Sequence, residues 1–570
     1  MDRRLTPIFI DRTGRRWRRI RRVALVFGVG TTIIGLVLVA TVALWPPMPP
    51  QLPLAVANNL PIARATSGKP GAYTRIDRLR VAYRRKLAAA IKQRGSPPSR
   101  PPEAIPALNV GSGQRPTRTS SIVAGFFVNW DDNSFASLKR NYDKLDWVIG
   151  EWAFISADAD SLHLRVKPEV IELLNSRPAE ERPSLFIMIS NFAVAPGADS
   201  ARGKFDPAAV RAFLGNPAAR ANAVRQLRTA VQQYGLAGTT LDMESFEPGL
   251  QPAVLAFAHE LHDAMHGMGK LATQAVATGE TDAYIKRAAA ANDHLLPMLY
   301  DEHYSAGDPG PIASQRFYVT QARRFARLVS PTKLVLTVGA YGYDWNDAEA
   351  IVTHQAELYS FQETMRAARG PAQPRPHFDP VSLNPYLQWT DPDSTDHLLW
   401  YLDGTTMYNA MEAGQALGVA GHAIWRLGSE DPSIWNALGR HGLMVSADSL
   451  ERIPPGYDAE FDGTGEILQI TYFPQDGERN LRIDSTSHWI AGQTLVKVPV
   501  PYVMSRTGGQ PRNAHRVALT FDDGPDPRWT PMILDTLRSR GVKATFFVIG
   551  QNVDTHQRLL KREYDEGHEI

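Results

Sequence analysis

No cysteine occurs in the 570 residues. Disulfides and thiolate metal sites are therefore excluded, and any metal must be held by Asp, Glu or His. The absence leaves the cellular compartment open. Positive charge is also scarce outside one place. The first 22 residues carry nine arginines against Asp2 and Asp11, more than the whole net charge of +3, so the rest of the chain is net acidic. With no basic stripe downstream, a nucleic-acid partner has no footing. The composition also lacks the polar bias of a disordered chain: at 43% hydrophobic and 9% aromatic it can build globular cores, and the length has room for several domains.

After the Arg-rich arm (1–22) comes an uncharged apolar run, Val23 to Trp45, long enough to span a bilayer. It continues into Trp45-Pro46-Pro47 without a small-residue cleavage site, which favours an uncleaved anchor over a signal peptide. The positive-inside rule keeps the arginines cytoplasmic and places everything after Trp45 on the exoplasmic side. Residues 46–120 are rich in Pro, Gly, Ser and Arg and read as a linker, with one helix expected over Ile76 to Gln93.

A regular alternation begins at Ser121. Apolar strands are expected at Ile122–Val128, Trp147–Ile149, Leu185–Ile189, Gly238–Asp242, Leu271–Val276, Leu295–Tyr300, Leu334–Val338 and Val419–Ile424, separated by helix-length segments. Eight such units predict a (β/α)8 TIM barrel over 121–440. A long insertion, Trp345 to Leu417, precedes the last strand and holds Trp389, Trp400, Tyr401 and Tyr408, which suit either sugar-stacking platforms or core packing. Residues 441–514 read as a β-rich connector.

The fourth strand ends Thr240-Leu241-Asp242-Met243-Glu244. Residues i and i+2 share a strand face, so Asp242 and Glu244 project together into the barrel mouth. Paired carboxylates in a sugar-sized cleft suit glycoside cleavage, although a D-x-E is also common at exposed strand ends. Ala237-Gly238-Thr239-Thr240-Leu241-Asp242-Met243-Glu244 resembles the D-G-x-D-x-D-x-E strand of family 18 glycoside hydrolases. The resemblance implies that Glu244 is the proton donor and that Asp242 orients the substrate N-acetyl group, whose carbonyl oxygen serves as nucleophile. Ala237 and Thr240 replace the two earlier aspartates, so the pair that normally shares a proton is missing. Met298-Leu299-Tyr300-Asp301 and Ala420 to Trp425 resemble two further strands of that family. They imply substrate contacts from Tyr300, Asp301 and Trp425, and no cofactor for the barrel; apart from the resemblance, Tyr300 and Trp425 read as core aromatics.

Near the end of the chain, an apolar strand runs into Thr520-Phe521-Asp522-Asp523-Gly524-Pro525-Asp526. Adjacent strand residues face opposite ways, so one acid could ligate a metal while the other takes a proton from metal-bound water; a solvated turn is the plainer alternative. With Lys543 to Gly550 and Gly567-His568-Glu569-Ile570, this stretch resembles the polysaccharide deacetylase (NodB homology) family over 515–570. The resemblance implies that Asp522 is the catalytic base and Asp523 a ligand of a divalent metal, zinc in the complete domain. The other two ligands, histidines of a His-Ser/Thr-x-x-His motif, are expected beyond Ile570, and His568 precedes them in the family pattern. This second β/α-barrel domain is therefore expected to be truncated, and this chain alone to lack deacetylase activity.

Together the resemblances imply a membrane-anchored hydrolase of the bacterial inner membrane, its main domains exoplasmic. It would deacetylate, and bind or cleave, an acetylated polysaccharide such as chitin-like polymer, poly-N-acetylglucosamine or peptidoglycan. Similar fusions continue into a family 2 glycosyltransferase. The alternative is a non-catalytic glycan-binding module in a fragment.

Overall fold

The computed structural model describes residues 121–570 except 157, 194–203, 347–354, 393, 466 and 509–516. The Arg-rich arm, the apolar run and the linker lie outside the described residues. Among the described residues, no helix is long and apolar enough to cross a membrane.

Eight parallel strands form a closed barrel: β1 (Ile122–Phe127), β2 (Trp147–Ile155), β3 (Ser184–Ser190), β4 (Gly238–Asp242), β5 (Leu271–Ala277), β6 (His294–Met298), β7 (Val335–Gly339) and β8 (Gly421–Trp425). Each strand pairs with its sequence neighbour, and β1 pairs with both β2 and β8, which closes the ring. Period-two alternation divides each strand between two cores. On β1, Ala124 and Phe126 join Trp147, Ile149, Phe186, Met188, Leu296, Val335 and Ala423 inside the barrel. Val123 and Phe127 face the opposite way, into the larger layer between strands and helices.

The local rules that set β4 are legible one by one. The preceding helix, Pro217–Tyr234, starts with Asn216 accepting from the Ala218 and Ala219 N–H groups and ends at Gly235 with φ +65°. Its Ala219, Ala223, Leu227, Ala230 and Val231 are buried at helical spacing. Gly238 then opens the strand where a Cβ would sit 2.0 Å from the Leu271 carbonyl oxygen, so β4 and β5 can approach this closely only at glycine.

Two expectations are corrected here. The second strand does not stop at Ile149: it runs through Gly150 to Ile155, with a register shift between Glu151 and Ala153. The insertion builds a five-stranded antiparallel sheet that begins earlier than expected, at Gly342, and the four aromatics singled out from sequence serve packing. Trp400 is fully buried, Tyr401 and Tyr408 are nearly so, and Trp389 stacks flat on His397 at 4.2 Å.

After the barrel come two three-stranded sheets, one of them Arg452–Ile453, Gly477–Ile483 and Ile490–Lys497. Arg479 on the middle strand is buried and pairs with Asp403 at 3.0 Å and Asp431 at 2.6 Å, which tethers that sheet to the barrel. The final segment forms a two-stranded parallel sheet, Thr520–Gly524 with Thr545–Val548, and helices Trp529–Arg540, Gly550–Thr555 and Gln557–Asp565.

Candidate active site

The C-terminal ends of the barrel strands enclose a cavity of about 390 Å³ lined by Asp242, Glu244, Tyr300, Asp301 and Trp425. The barrel residues singled out from sequence therefore meet in one place. β4 carries Asp242 to its last position, and Glu244 sits two residues on, just before Ser245 at φ +56°. Asn191, one residue past β3, pins that turn: its Oδ1 accepts the Glu244 N–H and its Nδ2 donates to the Glu244 carbonyl, both at 2.9 Å.

Asp242 is 4% exposed, and its Oδ1 has no hydrogen-bond partner. Burial, and next the charge of Glu151, pushes its carboxyl up to about 7. Glu244 is held well above the usual carboxylate range, first by burial, then by the charges of Asp242, Asp301 and Glu151. Burial likewise raises the Tyr300 hydroxyl, with Glu244 adding to the effect. Both shifts favour the protonated, proton-donating forms of Glu244 and Tyr300. Tyr341 donates to Asp301 Oδ1 at 2.5 Å, and the Trp425 ring meets the edge of Phe126 at 5.1 Å.

The two replaced aspartates leave physical traces. Ala237 packs against the apolar core inside the barrel. The Thr240 hydroxyl is 2.9 Å from that of Thr273 on β5, so it is engaged away from Asp242.

Glu151 was not foreseen. It lies on β2 at the inward spacing of Trp147 and Ile149, and Trp130 Nε1 donates to its Oε2 at 3.2 Å. Burial raises its carboxyl to about 7, against the Trp130 hydrogen bond and the Arg426 charge, which lower it. Arg426 in turn stacks over the Trp130 ring at 4.1 Å and pairs with Asp131. The signal was present as a charged residue at inward spacing, two residues past the expected strand Trp147–Ile149. Tyr341, Tyr343 and Tyr359 also line the cavity and come from the insertion side, where sequence spacing says little about direction.

Asp522 and Asp523 lie elsewhere, exposed on the short strand Thr520–Gly524, with Asp523 at φ +64°. The His568 ring accepts the Ala544 N–H through Nδ1 at 3.1 Å and meets Phe546 edge-on. Among the described residues, no three metal-ligating side chains gather at Asp523. The residues present thus do not fit a three-ligand zinc site there.

A closed parallel barrel with paired acids at the C-terminal end of its fourth strand, beneath an aromatic-walled cleft, has the form of a glycan-processing site. Comparison gives the family: the profile of glycosyl hydrolases family 18 matches residues 123–431, more than half of the chain, and the chain belongs to that family. A polysaccharide deacetylase profile matches residues 509–570. A peptidoglycan-N-acetylglucosamine deacetylase of Bacillus cereus is 41% identical over 103 residues, 18% of this chain and 35% of the relative. The uncharacterized glycosylase YvbX of Bacillus subtilis is 22% identical over 260 residues, 44% of this chain and 74% of the relative. The chain thus spans only about a third of the curated deacetylase that it matches. The solved spore cortex-lytic enzyme SleL of Bacillus megaterium aligns with a TM-score of 0.49 at 16% identity, covering 56% of this chain and 73% of its own.

Proposed function

We propose that the barrel cleaves a polymer containing N-acetylglucosamine, with the substrate's acetamido group as nucleophile. The observation that carries this reading is that Glu244, the unpartnered Asp242 Oδ1 and Tyr300 share one cavity. Glu244 protonates the glycosidic oxygen as its bond to C1 breaks, while the acetamido carbonyl oxygen closes on C1. Water then opens the cyclic intermediate and returns a proton to Glu244. The raised Glu244 carboxyl supports the first step, because an acid must hold its proton at working pH. The Asp242 carboxyl accepts the acetamido N–H, Tyr300 donates to the acetamido oxygen, and Trp425 floors the subsite. The test is Glu244→Gln assayed on N-acetylglucosamine oligomers: cleavage should fall by ~10²–10⁴-fold with binding retained. Undiminished cleavage would remove Glu244 from this role.

One observation favours a second reading, a glycan-binding module without catalysis: Thr240 engages Thr273 instead of supplying Asp242 with a carboxyl partner. Binding by a wild type that releases no product would favour it.

The likeness of residues 509–570 to polysaccharide deacetylases supports a proposed link to metal-dependent deacetylation of the same polymers, with zinc as the metal of the complete domain. We further propose that Val23–Trp45 anchors the chain in a bacterial inner membrane with the barrel exoplasmic, and that it belongs with fusions extending into a family 2 glycosyltransferase. Protease added to intact spheroplasts should digest the barrel; full protection would refute that topology.

A further inference from the structure

At the opposite end of the barrel from the cleft, two histidines and an aspartate converge. His262 and His266 lie one turn apart near the end of the helix Gln251–His266, and their ring centroids are 3.8 Å apart. Asp293 immediately precedes β6. Its backbone N–H donates to the Ala272 carbonyl, and its Oδ2 accepts the Ala272 N–H, both at 2.8 Å, so the start of β5 fixes its carboxylate. The other oxygen, Oδ1, is 2.9 Å from His266 Nε2 and 4.0 Å from His262 Nε2.

We propose that His262, His266 and Asp293 bind a divalent transition-metal ion of the zinc class, which braces the helix Gln251–His266 against the strand beginning at His294. Zinc holds N and O ligands at about 2.0–2.2 Å in a tetrahedron, which sets ligand atoms ~3.3–3.5 Å apart. The two separations, 2.9 and 4.0 Å, bracket that value, and all three ligand atoms lie within 4.8 Å of one another. A hydrogen bond between His266 and Asp293 explains one short contact; it does not explain a second imidazole reaching toward the same oxygen.

The surroundings also suit a metal. Asp263 Oδ1 lies 3.5 Å from His262 Nδ1, where a carboxylate can orient a ligating imidazole whose other nitrogen faces the metal. Two imidazoles with one carboxylate select zinc or its neighbours over calcium or magnesium, which prefer all-oxygen sites. The side chains of His262, His266 and Asp293 are 25%, 48% and 19% exposed, so an ion can enter from solvent and keep water in the remaining position. Since the site is at the strand starts, its role is to stabilise the barrel.

The experiment is calorimetric titration of the chelator-stripped full chain, free of any histidine tag, with zinc chloride. The wild type should bind one equivalent and melt at a higher temperature when loaded. His262→Gln, which leaves the bond between His266 and Asp293 intact, should weaken binding ~10-fold or more and remove the thermal shift. Cobalt(II) should give the strong visible absorption of a tetrahedral site in the wild type only. Absence of zinc binding, binding unaltered in His262→Gln, or binding abolished instead by Asp523→Asn would each overturn the proposal.

Discussion

Glu151, Asp242 and Glu244 share a cleft, and each raises the proton affinity of the next. Such strain is written into stability. The Glu151 and Asp242 carboxyls rise from ordinary values of 4.5 and 3.8 to about 7, so between those limits the folded chain binds more protons than the unfolded chain. Their contribution to stability is full below pH ~4 and is lost as the pH rises through about 7. His422 works the other way, since burial lowers it to about 3 and its effect appears as the pH falls below its ordinary 6.5. It is common to parent and variant, so the difference between them isolates the acids. Glu151→Gln and Asp242→Asn should each raise the thermal midpoint relative to the parent, more at about pH 8 than at about pH 4.5. A gain independent of pH would contradict this electrostatic account.

The element scale explains what sequence could and could not convey. β4 was readable because its apolar run, its acids at i and i+2 spacing and the family motif lie on one contiguous stretch. β2 was cut short because its apolar run ends at Ile149, whereas the barrel also buries Gly150 and Glu151. Direction was illegible in the insertion: aromatic spacing could not separate Trp400, which packs, from Tyr343 and Tyr359, which face the cleft. Nor could any local pattern announce Arg479, whose partners Asp403 and Asp431 are 76 and 48 residues away. Removing one member of a buried charge cluster leaves the others unpaired, so Arg479→Ala should cost about 3–5 kcal/mol in urea unfolding. A loss below about 1 kcal/mol would show that the tether contributes little.

At the scale of the whole molecule, the barrel was legible because eight apolar strands recur with helix-length spacing, and strand order in such a fold follows sequence order. The cleft was legible only in part, since Asp242, Glu244, Tyr300, Asp301 and Trp425 fall in motifs whereas Glu151, Trp130 and Arg426 meet through the closed ring. In the proposed reaction this closed ring assembles a hydrolase in which the acetamido oxygen attacks C1. Two displacements at that carbon return it to its starting configuration. The direct measurement is proton NMR of the first products released from a chitin hexasaccharide by the full chain. The account predicts the β-anomer before mutarotation and no cleavage of the fully de-N-acetylated oligomer. Initial release of the α-anomer, or equal cleavage of both oligomers, would contradict it.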